Sequence, residues 1–194
     1  MHPVPILIIG PSGVGKNAVI DRLISLFPEL EPFQTTTTRP PRPGESKYHF
    51  VSPNEFDRLI ESGSFLEWEE THGHRYGTQR NQIQAILEAR KYPVPISAVD
   101  YRGAQSYQRA FPGTLVIFLT FASLTDLPQR LRRTRPEMSD RDIATRLATA
   151  TQEMTAVSDF DHVVVNREGK LDETIEAVAA IIEHELGLQR KDSS

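Results

Sequence analysis

The chain has 194 residues, a formal net charge of −4 at pH 7 and no cysteine. The absence of cysteine excludes disulfides, thiolate metal sites and thiol nucleophiles, and the negative charge argues against polymeric nucleic acid or a membrane surface as a general partner. We expect a single compact cytoplasmic domain, a monomer or a dimer, in which any anion site is local.

The first predicted element is a buried strand over Val4 to Ile9, an apolar run without alternation. The run is too short to cross a bilayer and has no basic segment before it, so it favours a strand over a signal peptide. A helix is predicted after residue 17, because apolar residues recur at helical spacing up to Phe27, and Pro28 ends it. The stretch between strand and helix is Gly10, Pro11, Ser12, Gly13, Val14, Gly15, Lys16 and Asn17.

This strand, glycine-rich loop and helix predict a phosphate-binding loop. Glycines let successive backbone N–H groups turn towards one anion, the helix N-terminus adds its positive dipole end, and Lys16 supplies a charge for the outer phosphates. A turn without special function is the alternative, and the strand and helix around the loop disfavour it. Asn17 stands where the motif normally has a hydroxyl residue that ligates Mg²⁺. Its carbonyl is an acceptable oxygen ligand on a longer side chain, which makes Asn17 a weak metal ligand.

The next stretch, residues 33–45, is rich in threonine and proline and begins an insertion. It places Arg39 and Arg42 three residues apart in a loop stiffened by prolines. A guanidinium group binds two phosphate oxygens at once, and a stiff loop lowers the ordering cost of binding. A solvated proline-rich linker is the alternative interpretation.

The rest of the insertion predicts a small sheet with one helix. A short strand is expected over Tyr48 to Val51, and Ser52 with Pro53 and Glu55 predicts a helix start. Two further short strands are expected over Phe65 to Trp68 and His74 to Thr78, where the insertion ends.

After the insertion, helices and strands alternate. The predicted helices are Gln79 to Arg90, Tyr101 to Ala110, Ser123 to about Arg133, Ser139 to Val157 and Leu171 to Leu186; the predicted strands are Pro93 to Val99, Leu115 to Leu119 and His162 to Val165. This alternation predicts an α/β fold with a parallel sheet and helices on both faces. Asp100 then follows the end of a strand, at the rim where ligands bind in such sheets. Residues after Gly187 are expected to form a disordered polar tail.

Four stretches in combination resemble the guanylate kinase family: Gly10 to Lys16, Thr35 to Glu45, Phe65 to Trp68 and Tyr76 to Thr78. The resemblance implies that ATP phosphorylates GMP with Mg²⁺, and that the fold is a P-loop NTPase-like core with an inserted GMP-binding lobe and a helical lid. The implied core covers residues 1–32, 79–124 and 147–187, the lobe 33–78 and the lid 125–146, with a polar tail over 188–194.

The resemblance also implies roles for single residues on the GMP side. It places Arg39, Arg42, Tyr48 and Tyr76 on the phosphate of GMP, and Thr35, Glu67, Thr78 and Asp100 around guanine. A carboxylate at Glu67 accepts hydrogen bonds from N1–H and the exocyclic amine of guanine, whereas adenine presents a lone pair at N1. A surface acid beside Trp68 is the alternative interpretation of Glu67.

Arginines cluster on the segment that resembles the lid: Arg130, Arg132, Arg133 and Arg135, with Arg146 on the next helix. The resemblance implies that Lys16, Arg130, Arg135 and Arg146 are catalytic, because a basic lid stabilises the charge of phosphoryl transfer. One extra residue in the lid leaves Arg133 and Arg135 competing for one role. A solvated basic helix face is the alternative.

Three positions depart from the family pattern: Asn17 in the phosphate loop, Ala98 two residues before Asp100, and a shortened turn from Glu45 to Tyr48. The first two predict weakened Mg²⁺ binding and turnover. Two other functions stay open: a related kinase of another phosphorylated substrate, such as ribose 1,5-bisphosphate, and a non-catalytic binding module. The retained Glu67 and Asp100 argue against the former, and the retained Lys16 and glycines against the latter.

Overall fold

The computed structural model describes residues 4–41, 44–89 and 93–191. The strands of this part of the chain are β1 (Ile6–Ile9), β2 (Leu30–Pro32), β3 (Thr35–Thr37), β4 (Tyr48–Phe50), β5 (Phe65–Thr71), β6 (His74–Gln79), β7 (Val94–Ala98), β8 (Leu115–Thr120) and β9 (His162–Val165). Its α-helices are α1 (Lys16–Leu26), α2 (Pro53–Glu61), α3 (Arg80–Leu87), α4 (Tyr101–Ala110), α5 (Leu127–Thr134), α6 (Asp140–Glu153) and α7 (Leu171–Leu186).

The strands form two sheets. The larger has five strands in the order β2-β7-β1-β8-β9, and the smaller has four in the order β4-β3-β6-β5. In the larger sheet β2 pairs with β7 and β8 with β9, both in parallel, as the alternation of helices and strands predicts. Every residue of β1 and β8 is buried, which is the pattern of strands covered on both faces. The fold is therefore α/β with a parallel sheet.

The chain divides into two compact units. The first unit comprises residues 1–7 and 29–115, and the second comprises residues 8–28 and 116–194. The first unit contains the four-stranded sheet with α2, α3 and α4. The second contains α1, β8, β9 and the helices α5 to α7. The predicted lobe thus falls in the first unit and the predicted lid in the second.

Each unit has its own apolar core. In the first unit the largest fully buried side chains include Phe56, Ile83 and Tyr107, and in the second Phe27 and Phe118. Burying one such side chain contributes roughly 1.5–3 kcal/mol to stability. These cores fix the strands and helices from which the polar side chains described below project.

Side-chain caps explain where three of the helices begin. Ser52 Oγ accepts from the Glu55 N–H at 3.2 Å and Pro53 occupies the first turn of α2, as predicted from the sequence. Asp100 Oδ1 accepts from the Gly103 N–H at 2.6 Å at the start of α4, and Ser139 Oγ accepts from the Asp142 N–H at 3.2 Å at the start of α6. Each cap satisfies a backbone donor that the first helical turn leaves free.

Several predicted bounds were wrong. The sequence interpretation missed β2, and it treated residues 33–45 as irregular where β3 lies. The predicted helix from Ser123 begins as a 3₁₀ turn over Leu124–Asp126, because Pro128 suits the first turn of an α-helix that starts later. The predicted helix to Val157 changes to a 3₁₀ segment at Met154.

The prediction of a disordered tail after Gly187 was wrong as far as residue 191. The Arg190 guanidinium pairs with Glu183 at 2.8 Å and with Glu176 at 2.7 Å, both on α7. The Lys191 N–H donates to the Leu26 carbonyl at 2.8 Å. These contacts hold the segment beyond Gly187 in one place. Among the described residues, no helix combines the length and apolar character needed to cross a membrane.

Candidate functional site

The loop between β1 and α1 has a backbone path that excludes side chains at two positions. Gly10 has φ 128°, and a Cβ there would lie 2.1 Å from the Leu119 carbonyl oxygen. Gly15 has φ 102°, and a Cβ there would lie 2.7 Å from Asn166 Nδ2. Glycine adopts such φ values without steric cost. The geometry supports the predicted phosphate-binding loop, in which backbone N–H groups must approach an anion closely.

Lys16 is the first residue of α1 and folds back over this loop. Its Nζ donates to the Gly10 carbonyl at 2.5 Å and to the Pro11 carbonyl at 3.2 Å. The positive charge therefore lies at the loop, beside the positive dipole end of the helix. Asn17 follows Lys16 in the first turn of α1.

Asn166, at the end of β9, supports the phosphate loop and was missed in the sequence interpretation. It is buried, its Nδ2 donates to the Val14 carbonyl at 2.7 Å, and its Oδ1 accepts from Thr174 Oγ1 at 3.0 Å. Its backbone N–H donates to the Thr120 carbonyl at 2.8 Å. One signal was present in the sequence: a lone polar residue directly after an apolar strand.

The predicted arginines separate into two groups by their contacts. Arg146 on α6 donates to Ser12 Oγ at 2.7 Å, and Arg130 on α5 donates to the Val14 carbonyl at 3.3 Å. Both thus contact the phosphate loop. Arg132 pairs with Asp140 at 2.9 Å, and Arg133 pairs with Glu168. Arg135 caps the end of α5.

Glu168 contacts one arginine from each of these two groups. Its carboxylate accepts from Arg130 Nε at 2.7 Å and also contacts Arg133. Hydrogen bonds from Arg133 and then from Arg130 lower the pKa of Glu168 below its ordinary value. Arg130 also lies over the Phe121 ring, with 5.5 Å from the guanidinium carbon to the ring centroid. Arg130 is therefore held by an aromatic face, an acid and the loop at once.

In the first unit, the register of the four-stranded sheet gathers most of the other predicted residues on one face. Thr35 pairs with Tyr48, Thr37 with Tyr76, and Glu67 with Thr78. Directly paired residues project to the same side of a sheet, and so do residues two apart on one strand. One face, which we call the acceptor face, therefore carries Thr35, Thr37, Tyr48, Phe50, Glu67, Glu69, Tyr76 and Thr78.

Arg39 lies at one end of the acceptor face and is held firmly. Both oxygens of Glu45 accept from Arg39 Nη2 at 2.8 Å, and the guanidinium carbon lies 5.2 Å from the centroid of the Tyr48 ring. Burial alone would lower the pKa of Arg39, but the hydrogen bond and charge of Glu45 raise it above its ordinary value. The Tyr48 and Tyr76 rings meet edge to face at 6.3 Å. Arg42, the second predicted arginine, lies outside the described residues.

Glu45 is a functional candidate that the sequence interpretation left without a role. It accepts from one nitrogen of Arg39, whose side chain is 11% exposed, and the other terminal nitrogen donates to the Pro40 carbonyl at 3.0 Å, so the guanidinium group is held at two points. The signal in the sequence was an acid in the same stiff loop as the arginine.

At the other end of the acceptor face, Glu67 and Asp100 converge on α4. Glu67 Oε1 accepts from the Thr78 N–H at 3.1 Å. A Cβ on Gly103 would lie 3.1 Å from Asp100 Oδ1 and 3.2 Å from Glu67 Oε2, so the absence of a side chain lets the helix backbone approach both acids. Burial raises the pKa of Glu67 to about 7; the Thr78 hydroxyl opposes this, and the charge of Asp100 adds to it.

Glu69 is a third carboxylate at this place, and sequence reasoning missed it. It shares the acceptor face with Glu67, two residues away on β5. Burial, and then a hydrogen bond to Asp100, raise the pKa of Glu69 to about 7, while the charge of Arg102 opposes the shift. The strand alternation of β5 was the available signal, because it puts every second residue on one face.

These two sets of side chains suit different ligands. The acceptor face offers an arginine and two tyrosine hydroxyls at one end and hydrogen-bond-accepting carboxylates at the other, which fits a molecule with a phosphate and an N–H-bearing edge. The second unit offers a phosphate loop, a lysine and two arginines that contact the loop, which fits a polyphosphate. Among the described residues, no group of three or more His, Cys, Asp or Glu could hold a metal ion.

Comparisons with known proteins identify the family. A family model described as guanylate kinase matches residues 2–185. The chain is 45% identical over 166 residues to a guanylate kinase of Mycolicibacterium paratuberculosis, and this match covers 83% of the chain and 73% of the relative. It is 38% identical over 163 residues to a guanylate kinase of Polaromonas sp. strain JS666, and this match covers 82% of this chain and 78% of the relative.

A solved structure supports the fold. The crystal structure of guanylate kinase from Anaplasma phagocytophilum superposes with a TM-score of 0.71 at 24% identity, covering 95% of this chain and 86% of that one.

Proposed function

The chain belongs to the guanylate kinase family, and on that premise we propose that it transfers the terminal phosphoryl group of ATP to GMP, forming ADP and GDP. The observation that carries the proposal is the acceptor face, which has a half-buried carboxylate, Glu67, at one end and an arginine held by Glu45, Arg39, at the other. GMP has the complementary ends: an N–H edge and a phosphate.

Glu67 selects guanine over adenine in this proposal. An ionised carboxylate accepts from N1–H and from the exocyclic amine of guanine, and adenine offers a lone pair where guanine offers N1–H. The Thr78 N–H holds one oxygen of Glu67 in place. Thr35 and Asp100 provide further groups for the base. A buried polar site rejects the wrong edge strongly, because its own groups are left unpaired.

Arg39, Tyr48 and Tyr76 bind the phosphate of GMP in this proposal, together with Arg42. Glu45 holds Arg39 in place, so little side-chain entropy is lost when the phosphate binds. The edge-to-face contact of the two tyrosine rings fixes their hydroxyls in the same way.

Residues 10–17 bind the ATP phosphates in this proposal. The loop N–H groups and Lys16 neutralise the phosphate chain, and Arg130 and Arg146 stabilise charge that spreads over the equatorial oxygens during transfer. Arg135 is proposed as the further lid arginine. Mg²⁺ enters with ATP as part of the substrate and neutralises its phosphate oxygens. The Asn17 amide oxygen is a suitable hard ligand for it, and Ala98 supplies none.

The test is an ADP-release assay with ATP and a panel of monophosphates. GMP should be used with a preference over AMP on the order of 10⁴. Glu67→Ala should remove most of that preference, and Glu70→Ala, on the exposed side of the same strand, should retain it. Equal use of GMP and AMP by the unaltered protein would contradict the proposal, as would ADP release that follows ribose 1,5-bisphosphate in place of GMP. GMP binding without any ADP release would favour the binding module.

The cytoplasmic location and the monomeric or dimeric state stay predictions from the sequence. A reaction that consumes ATP and GMP is compatible with both. Gel filtration with light scattering would decide the oligomeric state.

A further inference from the structure

Asn166 contacts the phosphate loop at one peptide group, the one that joins Val14 to Gly15. Its buried side chain donates from Nδ2 to the Val14 carbonyl at 2.7 Å. This peptide bond is trans and planar, so its C=O and N–H groups point in opposite directions. The hydrogen bond therefore turns the Val14 carbonyl towards Asn166 and the Gly15 N–H away from it. In a phosphate-binding loop the N–H groups face the anion and the carbonyl groups face outwards, so this is the orientation that binding requires.

Gly15 makes this peptide group easy to flip. It has φ 102°, and glycine adopts positive and negative φ values with similar ease. Any other residue would bring its Cβ to 2.7 Å from Asn166 Nδ2, so the close approach of Asn166 requires glycine at this position. The same glycine removes the steric barrier that would otherwise fix the peptide orientation. The hydrogen bond from Asn166 is then the contact that selects one orientation.

Asn166 is itself fixed through both its backbone and its side chain. Its N–H donates to the Thr120 carbonyl at 2.8 Å, which anchors it at the end of the parallel pair β8 and β9. Its Oδ1 accepts from Oγ1 of Thr174, a buried residue of α7, at 3.0 Å. Turning the amide over would set its oxygen against the Val14 carbonyl oxygen, and neither of these atoms can donate. The amide therefore has one favourable orientation, in which Nδ2 faces the loop.

Arg130 also donates to the Val14 carbonyl, and its contact differs in two respects. It is longer, at 3.3 Å, and it comes from a charged side chain on α5, to which the proposed function gives a second task at the ATP phosphates. Asn166 carries no charge and ends a strand of the larger sheet. Its contribution to phosphate binding is therefore the orientation of the loop and not charge stabilisation.

We propose that Asn166, held by Thr174, is a positioning residue for ATP: it fixes the peptide group between Val14 and Gly15 so that the Gly15 N–H faces the phosphates. This inference rests on the proposed function, in which residues 10–17 bind the ATP phosphates. Without the Asn166 amide, the peptide group flips in part of the molecules, and a carbonyl oxygen then faces the phosphate chain. The apparent affinity for ATP falls with the fraction of molecules that keep the competent orientation. Bound ATP restores that orientation, so the transfer step itself is unchanged.

The test is titration calorimetry with a non-hydrolysable ATP analogue, followed by displacement of that analogue with inorganic tripolyphosphate. Asn166→Ala should weaken the binding of both probes by about tenfold and Thr174→Val by about threefold, as for the loss of one hydrogen bond. Thr174→Ser keeps the hydroxyl and should recover most of the affinity lost in Thr174→Val. In the ADP-release assay KM for ATP should rise, whereas kcat and KM for GMP should stay within about twofold. Thr151→Val is the matched control, because it removes an exposed threonine hydroxyl that donates to the Leu147 carbonyl at 2.9 Å.

A double-mutant cycle tests whether Thr174 acts through Asn166. Thr174→Val should add no further loss of analogue affinity in the Asn166→Ala background, and additive losses would overturn the proposal. If Asn166→Ala does not fold, the comparison of Thr174→Val with Thr174→Ser decides the question.

Three further results would overturn the proposal. They are an unchanged affinity for the analogue, an equal loss of GMP affinity, which is the sign of a general structural role, and a loss for the analogue that leaves tripolyphosphate displacement unchanged, because Asn166 would then act on the nucleoside. The titrations with the two probes do not depend on GMP. A protein that binds the analogue but releases no ADP with GMP would therefore contradict the proposed function and still decide the role of Asn166.

Discussion

Glu67 illustrates a conflict between stability and recognition at the scale of one residue. Burial raises its pKa from 4.5 to about 7, so the folded protein binds a proton that the unfolded chain releases between these values. The free energy of unfolding that this group contributes is therefore complete below pH 4.5 and is lost as pH rises through about 7. Guanine recognition has the opposite dependence, because the ionised carboxylate is the acceptor.

Glu67→Gln should separate these two effects. A glutamine cannot ionise, so the fall in unfolding free energy between pH 5 and pH 8 should become shallower and the variant should gain about 1–2 kcal/mol at pH 8. GMP binding should weaken, because the amide presents donors towards N1–H or the exocyclic amine of guanine. Denaturant unfolding at both pH values and calorimetry with GMP measure the two quantities. Glu70→Gln on the exposed side of β5 is the control, and a Glu67→Gln variant that is less stable at pH 8 than the unaltered protein would contradict the argument.

The sequence predicts roles for residues whose chemistry belongs to a recognisable motif, and these roles stay predictions. Lys16, Arg39 and Glu67 are of this kind. Glu69 was missed because its surroundings come from long-range packing: burial, and then Asp100 at the start of α4, raise its pKa. Local periodicity shows which face of its own strand or helix a residue occupies. It does not show which residues of a distant segment pack against that face. A raised pKa, which depends on burial, is likewise invisible in the sequence.

At the scale of elements, most helices and strands were predictable, and two three-residue strands, β2 and β3, were not. The predicted bounds of α4, β9 and α7 agree with the structure. The three-residue strand β2 contains Pro32 and gains its identity only by pairing with β7, where Leu30 lies opposite Val94. Strand β3 is all threonine and is likewise defined by its neighbours, β4 and β6. Strand pairing with distant segments cannot be read from a local pattern.

The start of α4 is an element-scale test of the acceptor site. Gly103→Ala adds a methyl group 3.1 Å from Asp100 Oδ1 and 3.2 Å from Glu67 Oε2, which should displace both carboxylates and weaken GMP binding by about tenfold. The helix itself should tolerate the change, since alanine favours a helix over glycine by about 1 kcal/mol. Calorimetry with GMP and thermal unfolding measure the two effects. Ser106→Ala on the same helix is the control, and unchanged GMP affinity in Gly103→Ala would show that the helix backbone does not fix these acids.

At the scale of the whole molecule, the two compact units divide the predicted site residues by ligand. The described residues predicted for GMP, from Thr35 to Asp100, all belong to the first unit. The loop residues predicted for ATP and the lid arginines all belong to the second. Both units are built from separate segments of the chain, and residues of the predicted core fall in each of them. Such a division predicts that the two binding reactions can be lost separately.

Lys16→Ala and Arg39→Ala should show this separation. Lys16→Ala removes the lysine charge from the phosphate loop, so it should abolish measurable binding of a non-hydrolysable ATP analogue and leave GMP affinity within about twofold. Arg39→Ala removes a charge-assisted bidentate partner, so it should weaken GMP binding by about 2 kcal/mol and leave the ATP analogue unaffected. Lys170→Ala is the control for Lys16→Ala, and Arg58→Ala is the control for Arg39→Ala. Each control removes an exposed cation from the unit that contains the residue it is matched to. Titration calorimetry of all four variants with both nucleotides gives the comparison.

If Arg39→Ala binds GMP as the unaltered protein does, the proline-rich segment is a linker and the acceptor phosphate binds elsewhere. If either substitution weakens the binding of both nucleotides equally, the two units do not bind their nucleotides independently.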